Sequence, residues 1–185
     1  RETCHMTIPE ACRIAREAQP VRLWLTHYSP SLPNPQELVA ENQWTIDKMI
    51  EMTNGTYIDL NGNGKSDIDD QFGFTITNFH NDAFYTGSGL KLVDKDPEKI
   101  LVISEDFYSE KAVDLLAKLG PWEASDEVYK KDNYEKPFTD GRALFNINRA
   151  HYAAKSLRDS ELSYGIVPVP KFDAEQKNFR TVMGN

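Results

Sequence analysis

ALFNINRAHYAAKSLR, residues 143–158, is the stretch whose reading decides the fold class. Ala143-Leu144-Phe145-Asn146-Ile147-Asn148 alternates in the period of a strand, and residues 150–158 follow at once as a helix. A strand running straight into a helix is the working unit of an α/β fold. Outward from it, Phe72-Gly73-Phe74-Thr75-Ile76-Thr77 reads as a second strand. Ser104 is expected to cap an amphipathic helix with Tyr108, Ala112, Leu115, Leu116 and Leu119 on its apolar face, and Gly120-Pro121 to stop it.

Earlier in the chain, Asn34-Pro35-Gln36-Glu37 carries an N-cap, a proline at the first helical position and a glutamate that reaches back. It opens a short helix through Val39. A second helix is expected over residues 44–52, with Trp44, Ile46, Met49 and Ile50 on one face and Asn54-Gly55 at its end. Residues 78–89 suggest a short helix and a loop. Residues 90–103 suggest two extended pieces around Asp94-Lys95-Asp96-Pro97. Tyr164-Gly165-Ile166-Val167-Pro168-Val169-Pro170 is extended, and its two prolines put it at an edge or a crossover. Residues 1–33 show neither period and receive no assigned structure.

The chain has 185 residues, enough for one domain or one lobe with extra elements, and 39% hydrophobic residues to build its core. With 21 Lys and Arg against 29 Asp and Glu the net charge is −8, and no dense basic patch stands out. Phosphate neutralisation needs clustered cations, so the expectation is no nucleic-acid partner. No apolar run approaches the roughly 20 residues that span a bilayer. The opening residues carry no signal-peptide pattern, so an export signal is expected to be missing from this chain. Cys4 and Cys12 could pair, but the spacing does not require it.

The sharpest motif is Asp59-Leu60-Asn61-Gly62-Asn63-Gly64-Lys65-Ser66-Asp67-Ile68-Asp69-Asp70. Counted from Asp59, oxygen side chains fall at loop positions ~1, 3, 5, 9 and 12 with glycine at ~6, the ligand order of an EF-hand. Calcium needs several hard oxygen ligands. Asp59, Asn61, Asn63, Asp67 and Asp70 offer side chains, Asp67 directly or through water, and Lys65 offers its carbonyl. The closing residue is Asp rather than the usual Glu, and a strand follows instead of a helix. Turn chemistry alone also favours Asn, Asp and Gly here. The expected cofactor is one structural Ca2+.

The four histidines, His5, His27, His80 and His151, show no helical zinc spacing. No nucleophile elbow appears, and no acid pair stands out from the carboxylates, so no catalytic residue is assigned. Binding material is more evident. Trp122 and Tyr85 sit in loop-like contexts where a ring could stack on a ligand. Asn148, Arg149, His151 and Tyr152 stand where a strand gives way to a helix, the place where α/β folds meet ligands. Core filling and helix capping are the plainer roles of the same residues.

DLNGNGKSDIDDQFGF at residues 59–74 resembles the calcium-loop-plus-strand segment of bacterial extracellular solute-binding proteins of the carbohydrate ABC-importer type. Phe138-Thr139-Asp140-Gly141-Arg142-Ala143-Leu144-Phe145, followed by Leu157-Arg158-Asp159 and by residues 164–170, is similar to the same family in the same order. The resemblance implies an incomplete periplasmic-binding-protein-like (type II) α/β lobe. Residues 1–31 would be an unassigned leader and 32–58 a helical segment. The calcium-type loop would occupy 59–70, the second-lobe domain 71–163, and a return crossover toward the hinge 164–185. It implies a non-catalytic, monomeric receptor, extracellular or periplasmic, that binds a carbohydrate and delivers it to ABC permease subunits. Asn148 to His151 match the family's ligand-contacting loop, but Arg149, His151 and Tyr152 stand where the family's usual aromatic would be, and Arg149 would suit an acidic sugar as well as a neutral one. The alternatives are a calcium-stabilised interaction module and a carbohydrate-active enzyme domain.

Overall fold

A computed structural model describes residues 34–181. The expectations placed on residues 1–33, with Cys4, Cys12, His5 and His27, lie outside them. Helix α1 (Pro35–Ala40) begins as the sequence implies, with Asn34 Oδ1 accepting from the Gln36 N–H at 3.0 Å. Helix α2 (Ile46–Thr53) is capped by Thr45, so Trp44 precedes the helix and is nonetheless buried. Strand β1 (Phe72–Thr75) leads through a 3-10 turn (Asn78–His80) into α3 (Asn81–Gly87). The two extended pieces expected over residues 90–103 are strands β2 (Val93–Lys95) and β3 (Leu101–Ile103), which pair antiparallel with Val93 opposite Ile103.

The amphipathic segment departs from expectation at both ends. Ser104 caps only a 3-10 turn (Glu105–Tyr108), and helix α4 (Glu110–Glu123) starts from a cap at Ser109. Leu115 and Leu119 face the core, while Tyr108 and Leu116 are exposed. The helix also runs through Gly120-Pro121. Pro121 forfeits one backbone bond, but continuing the helix buries Trp122. That indole donates to Thr53 Oγ1 at 2.9 Å and meets Phe74 edge-on at 4.9 Å. A large buried aromatic with its N–H satisfied outweighs one lost helical bond.

Strand β4 (Val128–Tyr129) and helix α5 (Glu135–Thr139) were not foreseen; β5 (Ala143–Asn146) and α6 (Ala150–Lys155) were. The sheet order is β4-β1-β5, and both pairings are parallel. The fold is therefore mixed α/β with a small parallel sheet. Residues 164–170 form no ladder, in keeping with their prolines. Lys171 instead bridges to Thr45, receiving the Ile46 N–H at 2.8 Å and donating to Trp44 O at 3.1 Å. Its own buried ammonium donates to Asn42 O at 2.7 Å. Among the described residues no helix is long and apolar enough to cross a membrane.

The four residues of β1 are all buried, which brings α2 hard against the strand. A Cβ at Gly73 would lie 2.4 Å from Thr56 Oγ1 and 2.7 Å from Thr53 Cβ. Gly73→Ala is therefore expected to cost about 1–3 kcal/mol by overpacking. Urea denaturation checks this; an unchanged midpoint would show that α2 yields freely.

Candidate functional site

Because β1, β4 and β5 run the same way, their carboxyl ends open on one edge, where α/β sheets present side chains to ligands. Asn146 Nδ2 donates to Thr75 Oγ1 at 2.7 Å, locking β5 to β1 there. Beyond the strands, Asn148 Nδ2 donates to Tyr134 Oη at 3.0 Å and to Glu135 Oε1 at 2.8 Å, and Tyr134 donates to the same carboxylate at 3.0 Å. The rings of Tyr134 and His80 meet edge to face at 5.9 Å. Tyr152 shares a 2.9 Å hydrogen bond with Thr139. Phe79, beside His80, is 86% exposed.

The electrostatics follow from this packing. Burial, with Arg149 nearby, holds the His80 imidazole below its ordinary value, against the opposing pull of Asp82 and Glu135. His80 Nδ1 and Asn81 Oδ1 are shielded from solvent without a hydrogen bond of good geometry, although the Ile147 backbone favours the protonated ring. Burial and the Glu135 carboxylate push the Tyr134 phenol well above its usual range. Burial also raises Tyr152. The cluster thus brings the His80 imidazole, the Tyr134 phenol and the Glu135 side chain together at one edge.

Of the residues expected to bind a ligand, Asn148, Arg149 and Tyr152 come together at this edge. His151 is on α6 and exposed. Trp122 and Tyr85 do not join them. Both are helical rather than in loops: Trp122 fills the core, and Tyr85 packs on the core from α3, its hydroxyl donating to Lys91 O at 3.3 Å. Sequence reading missed Phe79, His80, Tyr134 and Glu135. The position of His80 just after a strand was available as a signal. Tyr134 and Glu135 follow a strand of two residues, too short to show a period.

The Asp59–Asp70 loop precedes β1, and its Ser66 carbonyl accepts from Lys131, just past β4. Gly62 and Gly64 adopt φ of 69° and 71°, the left-handed turn that glycine makes at no steric cost. Asp59 accepts the N–H of Gly62 at 2.7 Å and of Gly64 at 2.8 Å. Asn61 and Asn63 both donate their amides to Asp67, which with the Asp69 N–H holds that carboxyl below its ordinary value. Asp70 is wholly buried and accepts from Tyr57 Oη, Leu60 N and Asp67 N. Burial and Asp70 push the Tyr57 phenol up to about 12. Among the described residues no three His, Cys, Asp or Glu side chains stand grouped to hold a metal by themselves, so any ion here would need the amide and backbone oxygens as well.

Comparison with known proteins points elsewhere than the sequence resemblance did. A 60-residue stretch is 38% identical to ribonuclease Z of Lachnospira eligens, covering 32% of this chain and 20% of that protein. A 42-residue stretch is 50% identical to ribonuclease Z of Lachnoclostridium phytofermentans, covering 23% and 14% respectively. A 54-residue stretch is 44% identical to ribonuclease Z of Clostridium kluyveri, covering 29% and 18%. The chain thus spans a fifth or less of the length of the curated relatives it matches. No family model and no solved structure matches it.

These matches overturn the solute-binding reading. They set aside the importer receptor, its carbohydrate ligand, its permease partners and the transport role, since the relatives are enzymes of RNA. They equally set aside the expectations that the protein is not an enzyme and has no nucleic-acid partner, and they lend nothing to the interaction-module or carbohydrate-enzyme alternatives. The resemblance had rested on two short blocks of turn formers and alternating strand residues. Such patterns recur wherever a parallel α/β unit makes a turn and an edge.

The lowered His80 gives the edge a pH signature. The unfolded chain takes up the imidazole proton near pH 6.5, whereas the folded chain resists it to lower pH. The His80 contribution to stability is therefore intact above 6.5 and lost as pH falls through the folded value. Urea midpoints at pH 5.5 and 7.5 should differ less in His80→Gln than in the parent; an equal difference would remove His80 as the cause.

Proposed function

We propose that this chain is part of a ribonuclease Z-type enzyme acting on RNA. The observation that carries the proposal is the similarity to three ribonucleases Z at 38–50% identity. The geometry supports RNA contact at the carboxyl edge of the parallel sheet. RNA is read chiefly through unstacked bases laid on aromatic rings and through arginine. Phe79 presents such a ring, and Arg149 stands close enough to His80, the next residue, to influence its ionisation. The Tyr134–Glu135–Asn148 network offers fixed donors and acceptors at the same edge.

The net charge of −8 does not oppose this reading, because a base stacked on Phe79 needs few phosphate contacts. It does predict weak binding with a shallow salt dependence, since few phosphate counterions are released. Fluorescence anisotropy with a short single-stranded RNA should show weak binding that changes little with salt. Phe79→Ala should weaken it about 5- to 100-fold, the usual worth of one stacked base. Cleavage of structured RNA by the intact polypeptide is the companion assay. Absence of both binding and cleavage would overturn the proposal.

We propose further that the loop of Asp59, Asn61, Asn63, Lys65, Asp67 and Asp70 takes up one calcium ion as a structural brace. The order of its oxygens and the left-handed turn at Gly64 support this. A bound ion would neutralise carboxylates that otherwise repel. Calcium at about 100 times its Kd should then stabilise the fold by about 2.7 kcal/mol, and chelator should reverse the gain. Calorimetry with CaCl2 showing no heat, together with a melting temperature unmoved at millimolar calcium, would overturn it.

A further inference from the structure

The chain holds three Asn-Gly dipeptides in exposed turns: Asn54-Gly55, Asn61-Gly62 and Asn63-Gly64. This is the pairing most open to spontaneous deamidation, because glycine leaves its backbone nitrogen unhindered. That nitrogen attacks the asparagine Cγ and the Cγ–Nδ2 bond breaks. Ammonia leaves with the backbone proton, and water then opens the succinimide to aspartate or isoaspartate. The attack needs the glycine N–H proton to depart and the nitrogen to be free.

In this fold all three attacking nitrogens are engaged, and each by a carboxylate. Gly55 N–H donates to Glu127 Oε1 at 3.2 Å. Gly62 N–H donates to Asp59 Oδ1 at 2.7 Å and Gly64 N–H to Asp59 Oδ2 at 2.8 Å. A carboxylate hinders the reaction in two ways. Its hydrogen bond must break before the nitrogen can turn, and its negative charge disfavours the amide anion. We propose that Asp59 and Glu127 are guards against deamidation, Asp59 for Asn61 and Asn63 and Glu127 for Asn54.

The guarded amides matter to the loop. Asn61 and Asn63 point their amide groups at Asp67, at 3.2 Å and 2.6 Å. Conversion of either replaces a donor by a second carboxylate facing Asp67. Attraction becomes repulsion, and the loop is expected to open. Deamidation at these sites is thus a one-way change in the charge and order of the loop. The inference depends on neither the RNA reading nor calcium binding.

Peptide mass spectrometry of the full chain, aged at mildly alkaline pH in chelator, tests it through the gain of one mass unit at each asparagine. In the parent all three sites should react about tenfold or more slower than in the urea-unfolded chain, the rate equivalent of one charge-assisted hydrogen bond. Asp59→Ala should release Asn61 and Asn63 while leaving Asn54 slow. Glu127→Ala should release Asn54 alone. A variant that merely unfolds would accelerate all three, so the site selectivity separates guarding from loss of fold; if it does unfold, Asp59→Asn and Glu127→Gln carry the same comparison. Rates at Asn61 and Asn63 unchanged without the Asp59 carboxylate, or no difference between folded and unfolded chains, would overturn the proposal.

Discussion

Strand β1 is hydrogen-bonded on both sides and buried on both faces, and the rest of the molecule is arranged around that constraint. A strand with parallel neighbours on either side cannot be reached by tight hairpins; each neighbour needs a crossover. Helix α4 lies between β1 and β4, and α5 between β4 and β5. The aromatic set of Phe74, Phe84, Trp122 and Phe145 fills one contact region around β1. Gly73 keeps the strand bare where α2 presses on it. Because all three strands point one way, one edge of the sheet gathers every loop that follows a strand.

The same constraint explains what could be read from residues 34–181 beforehand. The helix start at Asn34, the extended pieces that become β2 and β3, and strands β1 and β5 all carry local signals of several residues, whereas the second helix, expected from Trp44, starts from a cap at Thr45. Strand β4 carries two residues and no period; it exists because Val128 and Tyr129 pair with Phe74 and Thr75. Pro121 is a strong local stop signal that failed because burying Trp122 against Phe74 and Phe84 is a tertiary gain invisible in the local pattern. The candidate edge was half legible. Asn148, Arg149 and Tyr152 follow a recognisable strand, but Tyr134 and Glu135 depend on β4, and Phe79 and His80 on the register of β1.

Charge misled in another way. The total of −8 is a sum over the whole surface, and long-range attraction of RNA does follow that sum. Contact chemistry does not. A single exposed ring such as Phe79 and a guanidinium such as Arg149 act over a few ångströms, and neither registers in a net charge. Acidity therefore bears on how tightly and at what salt a polyanion is held. It does not decide whether one is held at all, and the similarity to RNA enzymes makes the local reading the more informative one.

The acidic loop and the polar edge are physically tied. Asp70 closes the loop immediately before β1, and Arg142, just before β5, donates to the carbonyl of Ile68 at 2.8 Å. The loop is thereby fastened to the amino ends of two strands whose carboxyl ends carry His80 and Asn148. Four residues of strand at roughly 3.3 Å each separate the two edges by roughly 13 Å. The loop nonetheless reaches along β4, where its Ser66 carbonyl accepts from Lys131, just past the carboxyl end of that strand. On this geometry, opening the loop should disturb the edge through β1 and β5 together, since both strands begin at the residues that anchor it.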